Sequence, residues 1–232
     1  MQTGSVFVTG TDTGIGKSVA SAALLHALRR AGGTAVGMKP VASGCEATPL
    51  GPRNEDALLL QAASDPRPDY ASVNPYALTA PLAPELAAAD EGVHLDLAVI
   101  AGAFATLARS ADRVVVEGVG GWAAPLSASL DQADLVRALE LPVVLVVGLR
   151  LGCINHARLT ARAILSDGFH LAGWIANGID PTMARADDNV RILRERLPVP
   201  CLGRIAWLRD LDELPSTRLD VSPLLGPATA RG

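Results

Sequence analysis

Aromatic residues make up only 3% of this 232-residue chain, although 49% of it is apolar. Its core must therefore be built from Leu, Val, Ile and Ala. Cysteine is also scarce. Cys45, Cys153 and Cys201 are odd in number and widely spaced, which excludes a disulfide framework or a zinc-binding pattern and suits a reducing cytoplasm. Lys/Arg runs are absent and the formal net charge is −4, so neither nucleic acid nor an anionic membrane is the expected partner. No apolar run approaches the ~20 residues that span a bilayer. The longest, Leu141 to Leu149, contains Pro142 and is of strand length. With no basic leader followed by a cleavable apolar segment, the expectation is a soluble, cytoplasmic protein.

The most informative stretch is Ser5 to Ser18, S-V-F-V-T-G-T-D-T-G-I-G-K-S. A short apolar strand enters a glycine-rich loop that ends in Gly16-Lys17-Ser18, and a helix follows directly. Such a loop turns backbone N–H groups inward as an anion cradle, with the positive end of the helix behind it. Lys17 is then placed for the outer phosphates and Ser18 for Mg²⁺. The spacing is one residue longer than usual because Thr11 stands where the first glycine is expected. Gly14 restores conformational freedom inside the loop.

Strand and helix patterns alternate from there. Strands are expected at Val6–Val8, Thr34–Met38, 112–117, Val143–Val147, Leu171–Ala176 and Cys201–Ile205. Helices are expected from Lys17 to about Ala31, Asp56 to Ala63 behind the N-cap Asn54, Leu95 to Arg109, Asp131 to Ala138, Leu151 to Leu165, and Ala186 to Arg196. Residues 41–53 read as a loop, and the proline-rich 65–84 as an irregular surface excursion. Strands apolar along their whole length are buried on both faces, and the alternation implies right-handed crossovers. The expected fold is a single α/β domain over 1–232: a P-loop NTPase-like three-layer α/β/α sandwich with a mostly parallel central sheet. The pattern dissolves beyond Leu208, and 226–232 reads as a loose tail.

In such sheets ligands lie outside the carboxyl ends of the strands. Those ends carry the phosphate loop, Lys39, Glu117 with Gly118-Val119-Gly120-Gly121, the Arg150–Cys153 turn and Asn177. Glu117 reads either as the acid that supports Mg²⁺ or as a solvated strand-end acid. Asp56 reads as a further metal ligand or as an acid favoured by its helix dipole. Lys39 reads as a second positioned cation, suited to a reaction that builds negative charge, or as a snorkelling lysine. The glycine-led helix start at Cys153 reads as a second anion site of carboxylate size or as an ordinary helix N-terminus. Residues three apart at a helix start need not share a cleft, so Cys153 and His156 are assigned no nucleophilic pairing. His26, His94 and His170 have no ligand spacing.

Seven separated motifs then match one family: F-V-T-G-T-D-T-x-x-G-K-S at 7–18, K-P-V-A-S-G at 39–44, N-x-D-A-L at 54–58, V-E-G-V-G-G-W at 116–122, V-V-G-x-x-L-G-C-I-N-H at 146–156, G-W-I-A-N at 173–177, and W-L at 207–208. Over about Val6 to Leu208 the chain resembles the dethiobiotin synthetases, which close the ureido ring in biotin biosynthesis. The resemblance implies ATP as co-substrate, Mg²⁺, CO₂ or bicarbonate, 7,8-diaminononanoate and a homodimer. Thr13, Gly16, Lys17, Ser18 and Val19 would hold the phosphates, and Ser18, Asp56 and Glu117 the metal. Gly14, Ile15, Gly118, Val119, Gly120 and Gly178 belong to the same nucleotide-binding set. Lys39, Lys17 and Thr13 would be catalytic, with Lys39 on the carbamate and the phosphorylated intermediate. Asn177 with Ala206, Trp207 and Leu208 would read adenine. Ser43 would contact the substrate, and Gly152, Cys153, Ile154 and Asn155 would bind its carboxylate across the dimer interface.

Three positions depart from the family pattern. Gly14 replaces a glutamate, Asn189 replaces a tyrosine at the substrate carboxylate, and Gly178 replaces an aspartate after Asn177. The last implies weaker selectivity for ATP. Two other readings share the loop. One is a partitioning-type regulatory ATPase, which carries a signature lysine where this chain has Asp12. The other is an ATP-dependent amidoligase, which normally brings a glutaminase domain for which this chain is too short.

Overall fold

A computed structural model describes residues 4–225. Six strands form the central sheet: β1 (Val6–Gly10), β2 (Ala35–Met38), β3 (Arg113–Glu117), β4 (Val143–Leu149), β5 (Leu171–Gly178) and β6 (Cys201–Ile205). Their order is β6-β5-β4-β1-β3-β2, and every neighbouring pair is parallel. The period-two geometry of a strand sends Val6 and Val8 into one core and Phe7 into the other. All seven residues of β4 are buried, as a strand covered on both faces requires.

Helices α1 (Lys17–Arg30) and α2 (Glu55–Ala63) cover one face. A helical turn, α3 (Tyr70–Val73), and α4 (Pro84–Glu91) follow. Helices α5 (Leu97–Ser110), α6 (Gln132–Leu139), α7 (Cys153–Ser166) and α8 (Ala186–Arg196) line the other face. The connections that leave the neighbouring strands β1 and β4 run in opposite directions across the sheet, which opens a crevice above their carboxyl ends.

Three expectations change. The 41–53 loop contains a ribbon, Glu46–Thr48 against Gly51–Arg53. The 65–84 excursion is ordered: it forms α3, and Tyr76–Ala77 runs parallel to Val41–Ala42. Pro84 opens α4 at its first turn, where the missing N–H costs nothing. The segment after Leu208 forms two 3-10 turns, Leu211–Ser216 and Ser222–Leu224. It buries Leu214, Val221 and Leu224 in the core that α1 covers. Prolines and short spacings hide these elements from periodicity. The expected loose tail, 226–232, lies outside the described residues. Among the described residues no helix is long and apolar enough to cross a membrane.

Candidate active site

The phosphate loop leads from β1 to α1, and two left-handed glycines shape it: Gly14 (φ 70°) and Gly16 (φ 75°). Gly16 is also pressed against the Asn177 side chain, which leaves no room for a Cβ. The start of α1 has no side-chain cap and no acid in its first turn. Its first amides are therefore open to an anion. By contrast, α2 has its Ala57 N–H capped by Asn54 Oδ1 at 3.3 Å.

The chain contains only two lysines, Lys17 and Lys39, against eighteen arginines. Both are buried in this crevice, 7% and 3% exposed. Lys17 Nζ donates to the Asp12 carbonyl at 3.0 Å. Burial, reinforced by repulsion from Lys39, brings the Lys17 pKa down to about 8. Lys39 Nζ bridges two acids, Glu117 Oε1 at 2.5 Å and Asp56 Oδ2 at 3.1 Å. Burial opposes its charge, yet the two carboxylates hold its pKa above the ordinary value. Asp56 is held below its usual range in return: burial pushes its carboxyl up, and the Lys39 ammonium beside it outweighs that.

Ser18 Oγ donates to Glu117 Oε1 at 2.8 Å. The other Glu117 oxygen, Oε2, is buried without a hydrogen-bond partner among the described residues, and an orphaned buried carboxylate oxygen calls for an acceptor of its lone pairs. Ser18, Asp56 and Glu117 thus offer hard oxygen donors, the set that suits Mg²⁺. No group of three or more His, Cys, Asp or Glu side chains gathers among the described residues to hold a metal. The donor set therefore fits a cation that draws its remaining ligands from phosphate and water.

These residues line one cavity of about 500 Å³ together with Thr13, Gly14, Gly16, Val19, Ser43, Val119 and Gly120. A second cavity of about 290 Å³ adjoins it through Gly14, Gly16 and Val19, and holds Asn177, Gly178, Ala206, Trp207 and Leu208. Asn177 Nδ2 donates to Ile15 O at 2.9 Å, so this side chain also braces the phosphate loop. A Cβ at Gly178 would stand 2.8 Å from Trp207 N; the glycine lets the backbone after β6 close over the pocket. Two of the expected residues sit elsewhere in the geometry. The Ile15 side chain is core, which leaves only its backbone for a nucleotide, and Gly118 packs against Phe7 and Gln132 rather than facing the cavity. Gly152, Cys153, Ile154 and Asn155 line neither cavity. They form the uncapped, acid-free start of α7, with Gly152 at φ 92°.

Sequence reasoning missed three supports. Gln132 is fully buried and holds the loop after Glu117, accepting from Val119 N and donating to Gly121 O. Arg150 pairs with Asp12 of the phosphate loop. Tyr70 with Asn74 links the residue after β2 to the start of α2. The lysine count was a signal available from the start.

A parallel sheet whose β1–α1 connection is an open anion cradle, with a lysine inside it and an acid on a neighbouring strand, defines a P-loop nucleotide-binding protein. The comparisons agree. A family model described as an AAA domain matches residues 4–215. The ATP-dependent dethiobiotin synthetase BioD of Xanthomonas euvesicatoria is 72% identical over 207 residues, 89% of this chain and 92% of that protein. The Xylella fastidiosa protein of the same name is 62% identical over 205 residues, 88% and 91% of the two chains. The chain belongs to the ATP-dependent dethiobiotin synthetase family. Among solved structures, the MinD cell division protein of Aquifex aeolicus is similar with TM-score 0.51 at 14% identity, covering 94% of this chain and 87% of that one. A ParA family ATPase from Chlorobium tepidum gives 0.50 at 16%, covering 94% and 91%. That likeness concerns the fold alone.

Proposed function

We propose that the chain carboxylates 7,8-diaminononanoate with CO₂ and closes it to dethiobiotin at the expense of ATP, a ligase step of biotin biosynthesis. The observation that carries this reading is the meeting of both lysines with Ser18, Asp56 and Glu117 at the open start of α1. One substrate amine takes up CO₂, losing a proton, to give a carbamate. The carbamate oxygen attacks the γ-phosphorus, the bond to ADP breaks, and a carbamic–phosphoric anhydride results. The second amine attacks that carbonyl and loses a proton, the C–O bond to phosphate breaks with its electron pair leaving on the phosphate, and the ring closes.

The protein positions and neutralises, as is general in phosphoryl transfer. Lys17, Thr13 and the first amides of α1 hold the γ-phosphate. Lys39 follows the charge from carbamate to anhydride, and Ser43 meets the substrate beside it. Mg²⁺, held by Ser18, Asp56 and Glu117, would supply neutralisation of the phosphates. The Asn177 carbonyl oxygen accepts from the adenine amino group, since Nδ2 is spent on the loop, and the Ala206–Leu208 backbone covers the base.

The substrate carboxylate binds at Gly152–Asn155 of a homodimer partner. Leu151, 96% exposed beside that segment, fits burial against a second copy. The setting is the cytoplasm. A Lys39→Ala variant tests the reading: it should bind ATP yet lose turnover by about 10²-fold or more, the scale of losing one positioned charge stabiliser. Full turnover would refute the role of Lys39.

A further inference from the structure

We infer that Tyr70 and Asn74 are positioning residues which tie the end of β2 to the start of α2 and so hold Lys39 and Asp56 in register. The inference rests on the metal role proposed above for Asp56. Lys39 lies one residue beyond β2, past the regular ladder, and its backbone is secured by the α3 end instead. Lys39 N donates to Val73 O at 2.7 Å, and Asn74 Nδ2 donates to Lys39 O at 2.7 Å and to Tyr76 O at 3.1 Å. Asn74 is only 3% exposed. Its Oδ1 accepts from the Tyr70 hydroxyl at 3.0 Å. That hydroxyl in turn accepts from Asn54 N at 2.8 Å, and Asn54 is the N-cap of α2, two residues before Asp56. The Arg53 guanidinium lies 4.1 Å over the Tyr70 ring and fixes its plane.

One hydroxyl therefore joins the two segments whose side chains meet at the Lys39–Asp56 contact of 3.1 Å. Without it, the Asn54 N–H and Asn74 Oδ1 lose their partner together, and α2 is free to settle at a different distance from Lys39. The phosphate loop is carried on α1 and takes no bond from this relay, so nucleotide binding without metal is spared.

The test uses full-length Tyr70→Phe and Asn74→Asp; the latter keeps an acceptor for Tyr70 but removes the donor to Lys39 O. Calorimetric titration of Mg²⁺ into the protein–ADP complex should show affinity reduced by about 10- to 100-fold, the usual range for partners behind metal ligands. Excess Mg²⁺ should restore much of the lost turnover, and ADP binding without Mg²⁺ should stay within about twofold of wild type, since its site is untouched. Mg²⁺ affinity within twofold of wild type, with only the melting temperature lowered, would overturn the inference. So would an equal loss of metal-free ADP binding. Should neither variant fold, Asn74→Ser decides: its shorter side chain cannot reach both the Tyr70 hydroxyl and Lys39 O, and Mg²⁺ affinity within twofold of wild type there would overturn the inference. The binding readout needs no turnover, so a wild type that makes no dethiobiotin but binds Mg²⁺ would sink the proposed function alone. A wild type that binds no Mg²⁺ with ADP would sink both.

Discussion

Replacing Lys17 by Met should stabilise the nucleotide-free protein while destroying its activity. Lys17 is 7% exposed and its pKa falls from 10.5 to about 8 because burial penalises its charge. At 1.36 kcal/mol per unit, that drop corresponds to on the order of 3 kcal/mol of stability forgone while the ammonium is charged. Losing the bond to Asp12 O offsets about 1 kcal/mol, which leaves a net gain of about 2 kcal/mol. The sign follows from proton counting. Between pH 8 and 10.5 the unfolded chain binds the proton and the folded chain does not, so wild-type stability rises with pH across that window. Below pH 8 both states are charged and the full cost is present; above 10.5 it vanishes. Urea unfolding of both proteins from pH 6 to 10 should show the variant ahead at pH 7, with the gap closing from pH 8 upward. A variant less stable at pH 7, or a gap constant with pH, would refute the reasoning.

Other outcomes follow from the same site. ATP binding at pH 8.5 should take up protons, because the phosphates return Lys17 to its charged form; calorimetry in buffers of differing ionisation enthalpy measures this, and zero uptake contradicts it. Gly178→Ala should weaken ATP binding by about 10-fold, since a Cβ 2.8 Å from Trp207 N forces the backbone off the base pocket at the usual cost of overpacking. GTP or CTP should compete measurably with ATP in turnover, because Gly178 brings no acid to base recognition; a strict ATP requirement would refute this.

The sheet was legible because its signals are local. Val114–Val116 and Val143–Val147 need only a run of apolar residues to declare a doubly covered strand, and Gly16-Lys17-Ser18 carries its chemistry in three positions. The convergence of Lys39 and Glu117 is readable from the rule that strand ends face one crevice, whereas Asp56, on a helix, needs the family motif to join them. What stayed hidden depends on pairings across long separations. Asn74 and Tyr70 look like loop residues until the fold brings them to Lys39 and Asn54. Gln132 looks like a surface helix residue until the glycine loop wraps around it. The 211–224 segment has no period, because short 3-10 turns bury single residues such as Leu214 and Leu224 rather than a stripe. Asn177, which the family motifs point to as a base contact, also braces the loop through its bond to Ile15 O.

The central claim is the reaction itself. Purified protein incubated with MgATP, bicarbonate and 7,8-diaminononanoate should yield dethiobiotin by mass spectrometry, with ADP and phosphate formed in equal amounts. ATP hydrolysis with no dethiobiotin would contradict the account and favour a regulatory ATPase built on the same fold.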